Sequence, residues 1–161
     1  MQQAKIVVAG ATGRLGRHVV DVLGAAGHEV VRVSRSAGVD VITGDGLPEA
    51  LKDADAVIDA VAGPSSGQRP ATEFFTTAAR NLQQAGERAG VARYVVVSII
   101  GIEKSAGGYG SAKLAHEQAV LDPDSEAAAD GSLLPGPHAK LAGPTFEEWL
   151  TTQPGSGSSG V

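Results

Sequence analysis

"AKIVVAGATGRLG", residues 4–16, decides the fold. A short β-branched run stops at Gly10, which reads as a buried strand. Gly10, Gly13 and Gly16 then form a G-x-x-G-x-x-G run. Beyond it, Leu15, Val19, Val20, Val22 and Leu23 fall at helical spacing, and Gly27 closes the segment. A glycine loop between a strand and a helix has a physical meaning that the bare motif lacks. Gly10 permits the tight turn, Gly13 lets the backbone approach a pyrophosphate, and Gly16 lets the helix pack closely. The helix start offers free N–H groups and the positive end of a dipole to an anion. Thr12, Arg14 and Leu15 complete the loop. A strand–helix turn that binds nothing is the bland alternative. The placing of all three glycines weighs against it.

Outward from this unit the same alternation recurs. Strands are expected at 28–35, 39–45, 55–63 and 92–100, and helices at 47–54, 71–90 and 109–121. The strands are continuously apolar, as in a parallel sheet covered on both faces. The expectation is an α/β, Rossmann-like, doubly wound sheet of about five strands in the order 3-2-1-4-5. From Pro123 the pattern fails. Residues 1–122 therefore read as a nucleotide-binding domain, 123–153 as an irregular segment packing on it, and 154–161 as a flexible Gly/Ser tail.

Composition narrows the classes. Apolar residues are 42% and charged residues 19% of 161, as in a soluble globular domain. The net charge of -5 gives no reason to expect nucleic acid or an acidic membrane surface. There is no cysteine, which excludes disulfides, thiolate catalysis and cysteine zinc sites. No apolar run is long enough to span a bilayer, and the N-terminus lacks the build of a signal peptide. A cytoplasmic location is the simple expectation. The four histidines, His18, His28, His116 and His138, have no metal-site spacing, and each is expected at the surface.

The end of the second strand, "VRVSRS", bears on the cofactor. An acid at this place would bond the ribose hydroxyls of NAD. Ser34 and Arg35 stand here instead, and Arg35 can pair with a 2′-phosphate. NADP(H) is therefore expected over NAD(H). Asp45 could bond an adenine amine with Leu47 beside the ring, or Asp45 could simply cap a helix. Ala60, Val61 and Ala62 are small enough to let a cofactor cross the sheet edge, or to serve close packing alone.

"IVVAGATGRLGRHVVDVL", "VVRVSR", "GDGL", "ADAVIDAVAG", "AARNLQQAGERAGVARYVVVSIIGI" and "YGSAKLAHEQAV" occur in this order over residues 4–122. Together they resemble the short-chain dehydrogenase/reductase superfamily, and within it the atypical, NmrA-like NAD(P)H-binding branch. The resemblance implies roles at three positions. Tyr109 would protonate a carbonyl oxygen. Lys113 would bond the nicotinamide ribose and lower the tyrosine pKa from its free value of about 10. Ser98, ending the fifth strand, would polarise the carbonyl.

In the resembling family a sixth strand and a substrate lobe follow the Tyr-x-x-x-Lys helix. Here the sequence resembles one whose internal block was removed near residues 122–132, truncating the sheet at the sixth strand. An exposed fifth-strand edge would then invite a homodimer by sheet extension. Three functions follow. One is an NADPH-dependent oxidoreductase reducing a carbonyl or quinone-like small molecule. Another is a non-catalytic NADP(H)-binding sensor or partner-binding module. The last is a remnant that binds cofactor weakly. The resemblance favours the first, and the missing lobe favours the second.

Overall fold

The computed structural model describes residues 3–64, 67–99 and 107–120. The sixth-strand truncation, the segment at 123–153, the tail at 154–161 and His138 lie outside the described residues. The chain runs β1 (Lys5–Ala9), α1 (Arg14–Ala25), β2 (Glu29–Val33), a 3-10 turn (Arg35–Ala37), α2 (Leu47–Ala50), β3 (Ala56–Asp59), α3 (Gln68–Ala89), β4 (Arg93–Val96) and α4 (Gly108–Val120). The four described strands form one parallel sheet in the order β2-β1-β3-β4.

β1 is central because it can be buried on both faces. Ile6 and Val8 pack with Ala11 and Val20 of the α1 layer. Val7 and Ala9 point the other way, into a core with Leu47, Val57, Phe75 and Leu82. One strand thus feeds two layers, which makes the fold α/β and doubly wound. Phe75, fully buried on α3, anchors the larger layer. Burying such a ring stabilises by about 1.5–3 kcal/mol.

The outer strand expected at 39–45 is absent, so the described sheet has four strands rather than five. Asp40 Oδ1 accepts the backbone N–H groups of Ile42 (2.7 Å) and Thr43 (3.4 Å). The Gly44 N–H returns to the Asp40 carbonyl at 2.9 Å, and Gly44 and Gly46 have φ of 82° and 74°. A short acidic side chain that bonds its own backbone competes with a sheet ladder, and here it makes a turn. Asn81 of α3 pins this turn from outside, donating to the carbonyls of Val41 (2.9 Å) and Ile42 (2.8 Å). Helix α3 itself continues through Gly86 and stops at Gly90, whose φ of 72° is the left-handed cap expected of glycine.

Candidate functional site

A cleft of ≈ 530 Å³ opens above the C-terminal ends of β1, β2 and β3. That is the place where open α/β sheets hold ligands, and the volume suits a small molecule. Gly10, Thr12 and Gly13 form its floor, Ser34 and Arg35 one side, and Val61, Ala62 and Gly63 another. Val39, Asp40, Val41 and Ile42 make a wall that the sequence reading did not single out.

The glycine loop is shaped by steric need. Gly10 has a φ of +74°, and a Cβ there would meet the Ala60 carbonyl oxygen at 2.6 Å. A Cβ on Gly16 would lie 2.0 Å from the Gly10 oxygen. The N–H groups of Gly10 and Ala11 are tied back to the Val33 carbonyl (3.1 and 3.4 Å). No side chain caps α1 at Gly13. The first-turn N–H groups of Arg14, Leu15 and Gly16 are therefore open to an anion. An uncapped helix start, a loop admitting only glycine at two places and an arginine at the rim fit a dinucleotide phosphate.

Other expected residues lie differently. Arg14 and Leu15 are exposed on the first turn of α1. Ala60 is buried behind the loop. Leu47 is 1% exposed and belongs to the core rather than to the cleft lining. Asp45 does not cap α2, whose N-cap is Gly46; its Oδ2 accepts the Thr43 hydroxyl at 2.7 Å.

Ser98, Tyr109 and Lys113 share no direct hydrogen bond in the structure. The Ser98 hydroxyl donates to Glu117 of α4. Tyr109 is partly exposed and meets the Phe75 ring edge-on, with centroids 5.5 Å apart. Lys113 is buried, its Nζ 4.8 Å from the centroid of the same ring. Phe75 thus touches both members of the Tyr-x-x-x-Lys pair.

Beneath them lies a buried polar chain. The surface placement expected for His116 is incorrect, because its side chain is fully buried and stacked on Phe75 at 4.8 Å. His116 Nε2 lies 2.8 Å from Asp59 Oδ2, and its Nδ1 lies 2.7 Å from Lys113 Nζ. Asp59 also accepts the Tyr94 hydroxyl at 2.8 Å and the Val61 N–H at 3.2 Å. Burial alone would raise the Asp59 pKa. The His116 bond and the attraction of a charge on His116, with the bonds from Tyr94 and Val61, outweigh it and hold the carboxyl below its ordinary value. Burial and the Asp59 charge push the Tyr94 phenol up, so it stays a proton donor. Burial lowers the Lys113 pKa, partly offset by the charges of Asp59 and Glu117. One signal in the sequence could have exposed this group. Asp59 sits inside the apolar run "AVIDAVAG", and an acid there must find partners.

The family model described as NAD(P)H-binding matches residues 10–130. Among solved structures, the chain is similar to MoeE5 in complex with UDP-glucose and NAD. The identity is 26%, covering 73% of this chain and 48% of that one, with a TM-score of 0.62. A short-chain dehydrogenase/reductase superfamily protein from Agrobacterium tumefaciens with bound NAD is 25% identical over 77% and 46% of the two chains (TM-score 0.62). A UDP-N-acetylglucosamine 4-epimerase from Bacillus cereus is 29% identical over 73% and 54% (TM-score 0.61). This chain spans about half the length of these structures. No curated protein matches it significantly. No helix among the described residues is long and apolar enough to cross a membrane.

Proposed function

The chain belongs to the NAD(P)H-binding family, and from that premise we propose that it is an oxidoreductase of the short-chain dehydrogenase/reductase type. Within that superfamily its sequence resembles the NmrA-like branch. The proposed reaction is reduction of a carbonyl or quinone-like small molecule with NADPH. The observation that carries this reading is the cleft, where the glycine loop, the Ser34–Arg35 rim and the Val61–Ala62 edge meet.

Gly10, Thr12, Gly13 and the first turn of α1 would hold the pyrophosphate, and Arg35 with Ser34 the 2′-phosphate. NADPH held there would supply hydride chemistry to a carbonyl carbon. Tyr109 would give its phenolic proton to the carbonyl oxygen, Ser98 would donate a hydrogen bond to that oxygen, and Lys113 would hold the ribose. The test is NADPH oxidation against a panel of ketones, aldehydes and quinones. Tyr109→Phe should lower turnover at least about a hundredfold and leave the cofactor Kd within about threefold. Undiminished turnover in that variant would remove Tyr109 from the chemistry.

A second reading has its own support. Ser98 is engaged by Glu117, and Lys113 by His116, rather than either of them by Tyr109. That arrangement suits a cofactor-binding module without catalysis. Cofactor binding with no turnover across the panel would select it.

A further inference from the structure

Asp59, His116 and Lys113 come from two elements far apart in the chain, and they form one buried line. Asp59 ends β3, and the other two lie on α4. All three side chains are nearly or wholly excluded from solvent, at 0%, 0% and 4% exposure. Burying a carboxylate and an ammonium costs several kcal/mol per ion unless each is well bonded. Here every buried side-chain nitrogen and oxygen among the described residues has a partner.

The direction of the line follows from valence. Asp59 is held ionised, so both its oxygens can only accept. His116 Nε2, at 2.8 Å from Oδ2, must therefore carry the proton. With one proton on a neutral ring, Nδ1 is left as an acceptor. The only donor opposite it in this contact is Lys113 Nζ, at 2.7 Å. A doubly protonated ring would set a second cation against the ammonium in a buried site. The opposite tautomer would leave Nε2 and the carboxylate facing each other as acceptors. Phe75 closes the remaining side, stacked on the imidazole and lying beneath the ammonium.

We propose that Asp59 and His116 are positioning residues for Lys113: the carboxylate fixes the imidazole tautomer, and the free ring nitrogen holds the lysine amine in place on α4. Tyr94 and the Val61 N–H fix the carboxylate in turn, so the hold is anchored in the sheet. An ammonium has three donors, and His116 uses one of them. The use proposed for the other donors is to serve a ligand. That last use rests on the function proposed above; the hold itself does not.

The experiment starts with the cofactor-free full chain. Long-range nitrogen–proton spectra of the imidazoles at about pH 8, where a free histidine is neutral, should show His116 with its proton on Nε2. A proton on Nδ1 would overturn the proposal, and this readout needs no variant to fold. His116→Gln keeps a donor toward Asp59 and removes the acceptor for Lys113; His116→Asn keeps an acceptor near Nδ1. Amine acylation read by mass spectrometry should show Lys113 labelled about tenfold faster in His116→Gln, with Lys52 as internal standard, for loss of a charge-assisted bond. His116→Asn should restore much of the protection. Equal Lys113 labelling in wild type and His116→Gln would overturn the hold. NADPH titration then separates the two ideas. His116→Gln and Lys113→Met should weaken binding alike, and the double variant no further. If the wild type binds neither NADPH nor NADH, the proposed function fails, while the tautomer and the labelling still decide the hold.

Discussion

Arg35 is the residue on which the proposed preference for NADPH turns. It stands exposed at the rim of the cleft beside Ser34, where an NAD site would carry an acid. A guanidinium paired with a phosphate is worth about 1.5–3 kcal/mol. Arg35→Asp should therefore weaken NADPH by more than about tenfold and leave NADH within about threefold. Equal losses for both would refute the role. Asp40 lines the same cleft, and the Ile42 and Thr43 N–H groups occupy one of its oxygens. At Asp59 the pKa lies below the ordinary 3.8, so ionisation favours the folded state. That stabilisation is present above the unfolded value and is lost as the pH falls through the folded one. Asp59→Asn should thus unfold more readily at neutral pH, with the gap to wild type closing below about pH 4. Urea unfolding across that range checks the sign. A gap independent of pH would detach Asp59 from the ionised network.

At the scale of elements, the β1–loop–α1 unit was legible because its signals are local. A β-branched run, three glycines and a helical period lie within one stretch, and each agrees with the others. The structure adds the reason for Gly16, whose missing Cβ lets α1 rest on the Gly10 carbonyl. Gly16→Ala should cost about 1–3 kcal/mol in urea unfolding, because backbone rather than a flexible side chain must yield. A neutral effect would mean that the helix start is looser than this contact implies. The segment at 39–45 misled because "VDVITGD" carries Val39, Val41, Ile42 and Thr43, β-branched residues that favour a strand. Its Asp40 and two left-handed glycines decide otherwise, and turn chemistry prevails over apolar content. The need of Asp59 for a partner was legible from its place in an apolar run, but His116 as that partner was not. The two are separated by 57 positions, and only the pairing of β3 into the sheet brings α4 over Asp59.

For the molecule as a whole, fold and family emerge from the first 120 residues, because the sheet order follows from alternating elements that need burial on both sides. Substrate identity does not emerge in the same way. The chain spans about half the length of the solved structures it resembles, so the reduction and its substrate stay a proposal built on the cleft. The central claim is narrower: the glycine loop, the open start of α1 and the Ser34–Arg35 rim together bind a nicotinamide dinucleotide. Calorimetric titration of the full chain with NADPH, and separately with NADH, tests it most directly. The account predicts saturable one-to-one binding with NADPH the tighter ligand by at least about tenfold, the worth of one charged pair. Heats no larger than dilution for both cofactors would contradict it.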